Sequence, residues 1–320
     1  MQRTDAAPHT VSRLLRRYGT VLAALLILLV FSLLSPTAFF SLENALNVTR
    51  QISFLVIVAV AATFVMVVGE FDLSVGALAS LGGVIAAQLA VRGLPVPLCF
   101  ALAAVAGLVV GVVNGLLITR FRLLSFITTL AMGTVIGGVV FWMTGGSTVF
   151  ENIPDTFSAL GRATFLGIPA LSLVMLAVVL LAWFVLTHTP VGRRLYAVGG
   201  NEAASRVAGI QVDRHKVLAF ALSGLLAAFT GALLASRLGS AQPTGGNGLF
   251  LPAYAAAFLG MTAFKDGLPN VFGTLLGALI IGLLANGLTI LQVPTFLQDV
   301  ITGVIVILAV IVQKLGRRED

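Results

Sequence analysis

The chain has 320 residues, of which 58% are hydrophobic and 10% are charged, and its mean hydropathy is +1.07. Because a soluble domain carries about 25% charged residues, this composition excludes an ordinary cytosolic enzyme and a disordered protein. The net charge of +7 would favour nucleic acid in a soluble protein, but here the charges lie in short gaps between apolar runs. They indicate membrane orientation and contact with lipid headgroups, and we expect no nucleic-acid partner.

Ten uncharged runs predict about ten transmembrane helices, because roughly 20 apolar residues are enough to cross a bilayer. The predicted helices cover residues 19–35, 52–69, 73–91, 96–119, 123–144, 164–187, 217–236, 249–263, 270–291 and 295–313. The first is interpreted as an uncleaved signal-anchor, since its apolar run continues to Leu42 and many spans follow it. The eighth is short and is interpreted as broken or re-entrant. The predicted fold class is all-α, a polytopic membrane protein with a single domain over residues 1–320.

The distribution of Lys and Arg predicts which side of the membrane each loop faces. With the N-terminus inside and ten crossings, the inside segments carry 15 Lys and Arg residues and the outside segments carry 4. This asymmetry predicts that both ends, residues 1–18 and 314–320, lie in the cytoplasm. It also places the longest polar loop, residues 188–216, on the inside.

Two predicted helices share a glycine pattern that indicates an internal repeat. The fourth contains Asn114-Gly115 and the ninth contains Asn286-Gly287, each after two regularly spaced glycines. Because these helices would cross in opposite directions, helices 2–5 and 7–10 are predicted to be inverted copies. The alternative is a chance likeness among glycine-rich apolar helices. The glycine spacing also predicts close helix packing inside the bundle, with a dimer seam as an alternative.

The sequence lacks the motifs of common enzymes and metal sites. None of the three lysines, Lys216, Lys265 and Lys314, follows a glycine, so the chain has no Walker A loop for ATP. It also has no His-Glu-x-x-His motif, no cysteine pair and no Gly-x-Ser-x-Gly elbow. We therefore expect no enzymatic activity, no catalytic residue, no metal ligand and no cofactor bound by this chain.

A polar turn separates the second and third predicted helices. It contains Glu70, Asp72 and Ser74, and two carboxylates so close to a bilayer must lie at an interface, in a water-filled cavity or at a helix start. Asp72 or Ser74 is expected to cap the third helix. A role at an inner gate is the alternative.

The inside loop predicts a short helix on the membrane surface. Asn201 is a suitable N-cap, Glu202 and the alanines favour helix, and Gly209 is a suitable end. This helix either presents a contact to a cytoplasmic partner or anchors the loop at the membrane through arginines.

Hydroxyl groups open the fifth predicted helix. Thr128, Thr129 and the ring of Phe126 are suited to line a path for a neutral polar solute. The alternative is that the hydroxyls bond the local backbone.

Together these motifs resemble the permease subunits of bacterial ATP-binding-cassette importers for ribose-type monosaccharides. The resembling segments are residues 70–76, 126–130, 189–193, 200–206 with 209–210, 273–277 and 286–288. The resemblance covers about residues 20–313. The chain differs from the usual pattern at Glu70, where a glycine is common, and at Ser205, where an alanine is common.

The resemblance implies a permease in the bacterial inner (plasma) membrane that pairs with a second copy or a paralogue. An ATPase subunit would bind ATP and Mg beneath it, and a periplasmic sugar-binding protein would deliver the substrate. The expected residues for coupling to the ATPase are Gly199, Gly200, Asn201, Glu202, Ala203, Ala204, Arg206 and Gly209. The expected path or gate residues are Glu70, Asp72, Ser74, Asn114, Phe126, Thr128, Thr129 and Asn286.

Two other functions remain open from the sequence. One is a permease of the same architecture for amino acids or nucleosides. The other is a secondary transporter coupled to protons or sodium, which would need an ionisable residue deep in a span. Asp299 is the one plausible candidate within the predicted spans, and it lies near a helix end.

Overall fold

A computed structural model describes residues 25–263 and 267–316 of the chain. The predicted cytoplasmic tail 1–18, the beginning of the first predicted span, Lys265 and the last four residues of the predicted tail 314–320 lie outside the described residues.

Helices dominate the described residues. In chain order they are α1 (Leu25–Leu34), α2 (Pro36–Phe39), α3 (Leu42–Val67), α4 (Val75–Val91), α5 (Val96–Phe121), α6 (Ser125–Thr144), α7 (Asp155–Arg162), α8 (Ala170–His188), α9 (Pro190–Gly200), α10 (Glu202–Val207), α11 (Val212–Leu238), α12 (Phe250–Ala263), α13 (Val271–Ile290) and α14 (Thr295–Gly316). A two-stranded hairpin, β1 (Thr164–Phe165) and β2 (Ile168–Pro169), precedes α8, and a 3-10 turn (Asn247–Leu249) precedes α12.

Six of these helices, α3, α5, α6, α8, α11 and α13, are long and apolar enough to cross a membrane. Shorter apolar stretches lie at Leu25–Leu34, Val75–Val91, Asn247–Met261 and Thr295–Ile305. Each of the ten predicted spans thus has a helical counterpart, and the predicted all-α, polytopic membrane fold is confirmed.

Two predicted boundaries differ most from the structure, for local reasons. The span expected at 164–187 begins at Ala170, because residues 164–169 form the hairpin, with Leu166 and Gly167 in left-handed backbone conformation at its turn. The helix expected from residue 52 begins at Leu42, because Ser41 caps a polar first turn by accepting a hydrogen bond from the Asn44 N–H at 3.0 Å.

The helices form two sets, and members of each set pack against members of the other. Helix α11 lies against α3, α4 and α5, while α3 lies against α12 and α13 as well as α11. The two sets correspond when α3 is matched with α11, α4 with α12, α5 with α13 and α6 with α14. Each of these contacts in one set then has a counterpart in the other, and the contact of α4 with α6 corresponds to that of α12 with α14. This pattern is the one expected of the predicted repeats, helices 2–5 and 7–10.

Glycines make the closest helix contacts within the bundle. A Cβ added to Gly111 on α5 would collide with the backbone of α11 at Phe220, and one added to Gly277 on α13 would collide with the backbone of α12 at Ala256. Small residues let the backbones approach this closely. The glycine pattern of both repeats therefore serves packing inside the chain.

Candidate functional site

The turn between α3 and α4, residues 68–74, is fixed by side chains from distant helices, and its Asp72 and Ser74 are buried. The Asp72 N–H donates to the Tyr254 hydroxyl of α12 at 2.7 Å, and that hydroxyl donates to the Asp72 carbonyl at 3.1 Å. The Leu73 N–H donates to Thr129 Oγ1 of α6 at 3.0 Å. Because buried backbone groups need partners, these hydroxyls hold the turn in one conformation.

The Asp72 carboxylate is the centre of a polar cluster and has no solvent exposure. One oxygen accepts from the Ser74 N–H at 3.0 Å and from the Ser74 hydroxyl, and the other accepts from the Ser223 hydroxyl of α11 at 2.9 Å. Asn114 Nδ2 of α5 donates to Ser74 Oγ at 3.0 Å. We call Asp72, Ser74, Asn114, Ser223 and Tyr254 the Asp72 cluster.

The Asp72 cluster joins three helices, α5, α11 and α12, to one short turn. Among the described residues, no lysine or arginine forms an ion pair with Asp72. Hydroxyl and backbone donors therefore supply the stabilisation that a buried carboxylate requires. Asp72 or Ser74 was predicted to cap α4. The Ser74 side chain makes no capping bond, and the backbone N–H that donates to the Asp72 carboxylate is that of Ser74, which precedes the helix.

The structure divides the predicted path residues into two groups. Asp72, Ser74, Asn114 and Thr129 meet at the turn. Thr128 donates to the Leu124 carbonyl at 2.9 Å, and Thr129 also donates to the Ser125 carbonyl at 2.7 Å, as the local-bonding alternative proposed. The remaining two lie elsewhere: Phe126 is 56% exposed on α6, and Asn286 exchanges hydrogen bonds of 3.0 and 3.1 Å with Asn44 of α3.

The eighth predicted residue, Glu70, connects the same turn to the inside loop. Lys216 Nζ on α11 lies 2.7 Å from Glu70 Oε1 and 2.9 Å from Glu202 Oε2 of α10. Arg206 lies 2.9 Å from Glu202 and 2.7 Å from Asp213. Hydrogen bonds from Lys216 and Arg206 lower the pKa of Glu202. The sequence analysis counted Lys216 among the Lys and Arg residues of the inside segments but did not predict its pairing with Glu70 and Glu202.

The short helix predicted in the inside loop is confirmed as α10. Asn201 Oδ1 accepts from the Ala204 N–H at 2.9 Å, and Gly209 adopts a left-handed conformation (φ 79°) just after the helix. Ser205 is the only buried residue of α10. The predicted coupling residues within 201–209, which are Asn201, Glu202, Ala203, Ala204, Arg206 and Gly209, are therefore exposed on one surface.

Helix α9 holds this surface against the bundle. Gly199 lies so close to the end of α3 that an added Cβ would collide with the Val67 carbonyl, whereas Gly200 has open space around it. The Tyr196 hydroxyl donates to the Pro269 carbonyl, before α13, at 2.8 Å. Burial raises the pKa of Tyr196 to about 12, so the phenol stays protonated and keeps donating at neutral pH.

An open cleft of about 870 Å³ lies between the C-terminal end of α5, helix α10 and the beginning of α11. Its walls include Glu70, Glu202 and Lys216, together with Arg120, Arg122 and Arg214. The described residues contain no group of three His, Cys, Asp or Glu side chains that could hold a metal ion. The site is thus a charged surface beside a polar turn whose Asp72 and Ser74 are buried.

Apolar helices packed around a polar turn, with a short exposed helix beside it, fit a membrane transport protein. Residues 44–310 match the family described as "Branched-chain amino acid transport system / permease component", and the chain belongs to this family. Its members are permease subunits of ATP-binding-cassette transporters, so the chain is a transport protein and not an enzyme. The resemblance seen in the sequence is confirmed. Membership also implies an ATPase subunit and a substrate-binding protein as general partners.

Curated relatives match over nearly the whole chain. The ribose import permease protein RbsC of Haemophilus influenzae is 37% identical over 97% of this chain and 97% of its own length. RbsC of Escherichia coli K12 is 40% identical over 92% of both chains. The D-allose transport system permease protein AlsC of the same strain is 33% identical over 98% of this chain and 96% of its own.

Proposed function

We propose that this chain is the membrane-spanning subunit of an ATP-binding-cassette importer that carries a ribose-type monosaccharide across the bacterial inner membrane. The observation that carries the proposal is its similarity, over more than nine-tenths of its length, to permeases named for ribose and allose. The partners are an ATPase that binds ATP and Mg, a periplasmic sugar-binding protein, and a second permease copy or paralogue.

In this proposal, alternating access begins at the ATPase. ATP-driven closure moves the α10 helices of two permeases together, and the repeats rock against each other. Glu70, Asp72 and Ser74 act at the inner gate. Asn114, Thr128, Thr129 and Asn286 hold the helices that border the path, and the exposed face of α6 around Phe126 lines it. The contacts from α6 and α12 to the turn support a gate that responds to bundle movement.

The test is transport by the assembled complex in proteoliposomes. ATP inside should drive uptake of radiolabelled ribose or allose when the ATPase and the sugar-binding protein are both present. An ATPase variant lacking its Walker A lysine is the matched control and should abolish uptake. ATP-driven uptake of leucine or adenosine, without uptake of sugars, would contradict the sugar proposal and favour the amino-acid or nucleoside alternative.

One observation favours an ion-coupled transporter as a second candidate. Asp299, the residue expected to serve it, is exposed, whereas Asp72 is a buried carboxylate surrounded by hydroxyl groups. A buried ionisable residue in a membrane protein is a candidate ion site. Sugar uptake by the chain alone, driven by a proton or sodium gradient and abolished by an ionophore, would support this candidate.

Orientation is tested by labelling two equally exposed positions. We propose that both chain ends and α10 face the cytoplasm and that the β1–β2 hairpin faces the periplasm. Val207 on α10 and Leu166 at the hairpin turn are 91% and 89% exposed. In a Cys99→Ala background, Leu166→Cys should react with a membrane-impermeant maleimide in intact spheroplasts, and Val207→Cys should react only after permeabilisation. The reverse pattern would contradict the orientation.

A further inference from the structure

We propose that Lys216 is a positioning residue that transmits movement of α10 to the turn 68–74, through an ion-pair relay Glu202–Lys216–Glu70. The inference rests on the proposed function, because it assigns a route from the ATPase-facing surface to the gate. Lys216 itself touches no substrate in this assignment.

The geometry of Lys216 makes it the bridge between two parts of the chain. Its ammonium group lies 2.7 Å from Glu70 and 2.9 Å from Glu202, so one cation holds two carboxylates from segments more than 130 residues apart. The side chains of Lys216 and Glu70 are only 13% and 18% exposed. Such charge-assisted bonds are short and directional, and partial burial reduces their screening by salt.

On the surface side, few contacts other than ion pairs hold α10 against α11. The helix has six residues, and Ser205 is the only one buried. Glu202 and Arg206 make the ion pairs that tie α10 to α11, but only Glu202 shares its cation with the turn. Glu202 and Lys216 therefore form the side-chain route from α10 to the turn, beside the backbone contact of Gly199 with Val67.

On the turn side, a displacement of Glu70 is passed to Asp72 through a short segment of backbone that its contacts hold in place. Only Phe71 separates them, its ring centroid lies 5.9 Å from that of Tyr254, and its N–H points to Ser125 Oγ at 3.4 Å. Asp72 is held by Tyr254 and Ser223. A displacement of Glu70 thus acts on hydroxyls of α6, α11 and α12, of which α6 lines the proposed path.

The experiment compares variants in the complete transporter, with ATPase and binding protein, by the number of sugars moved per ATP hydrolysed. Lys216→Met should lower this ratio about fivefold or more, the lower end of coupling between distant sites. Lys216→Arg should restore it, since it keeps the charge and reach. Arg162→Gln is the matched control, because it removes an arginine of α7 that bonds the carbonyls of Arg237 and Leu238 at the far end of α11 from Lys216, and its ratio should stay near the wild-type value.

A second measurement does not depend on sugar. Hydrogen exchange of the peptide covering residues 68–74 should change on ATP binding in the wild-type complex, and this change should be lost in Lys216→Met and in Glu70→Gln. The double variant should be no worse than either single one. A wild-type ratio, or a wild-type exchange response, in Lys216→Met would overturn the relay. Failure of the wild-type complex to import any sugar would instead count against the proposed function.

Discussion

Two turns occupy matching places in the two repeats, and they differ in chemistry. Residues 68–74 follow α3, and residues 239–249 follow α11. The second turn is fixed mainly by backbone, with a bridge between Val149 and Ala241 at 2.8 and 2.9 Å, and by the Gly246 N–H donating to Ser80 at 2.9 Å. It has no charged residue, whereas the first contains Glu70 and Asp72.

The two repeats share their helix packing and differ in the chemistry of these turns. Both repeats provide the same helix pairs, with glycines at the closest contacts. Of the two turns, only the one nearest α10 is connected by ion pairs to the exposed surface and by buried hydrogen bonds to three helices, α5, α11 and α12. The helix pairs are thus duplicated, whereas of these two matching turns only the first carries charged residues.

The largest expected effect comes from removing the buried carboxylate of the first turn. Asp72→Ala leaves the hydroxyls of Ser74 and Ser223 and the Ser74 N–H without their acceptor. Orphaned buried donors cost about 1–3 kcal/mol each, so we expect a loss of about 3 kcal/mol in the free energy of unfolding. Thermal unfolding of the detergent-purified protein measures this loss.

The matched control for Asp72 lies on the other turn. Gln242 is exposed, and Gln242→Ala should change the free energy of unfolding by no more than about 0.5 kcal/mol. Asp72→Asn keeps one carbonyl acceptor and should fall between the two. Equal melting temperatures for Asp72→Ala and Gln242→Ala would show that the two turns do not differ in the way described.

A smaller effect is expected from the cap of α10. Asn201→Ala removes the acceptor for the Ala204 N–H, and loss of an N-cap costs about 1 kcal/mol. Since α10 is short and exposed, we expect weaker binding of the ATPase subunit, by about fivefold, with an unchanged melting temperature of the bundle. Titration of the purified ATPase subunit onto the reconstituted permease measures the affinity.

Asn270 provides the comparison, since it caps α13 in the same way, accepting from the Gly273 N–H at 2.7 Å. Asn270→Ala should lower the melting temperature and leave ATPase binding intact. If Asn201→Ala and Asn270→Ala behave alike, α10 is part of the folded bundle and not a separate contact surface.

The sequence was sufficient for the parts of the fold that depend on local pattern. Apolar runs located the helices, and Asn201 with Gly209 located α10, because caps and hydropathy act over a few residues. The partners of Asp72 were not predictable, since Ser223 and Tyr254 lie more than 150 residues away and resemble any hydroxyl in an apolar helix. The pairing of Lys216 with Glu70 likewise depends on how α11 packs beside the turn.

The smallest expected effect is a pH dependence of the exposed end of the relay. Hydrogen bonds from Lys216 and then Arg206 lower the pKa of Glu202, so ionised Glu202 stabilises the docked α10 above the ordinary glutamate pKa of about 4.3. This stabilisation is lost as the pH falls through the lowered pKa. A fluorophore on Val207→Cys should report constant α10 mobility from about pH 8 to about pH 5, and increased mobility below about pH 4. Because Glu202 is 45% exposed, the change is small. Glu202→Gln should remove this step, and an unaltered step in that variant would show that Glu202 does not cause it.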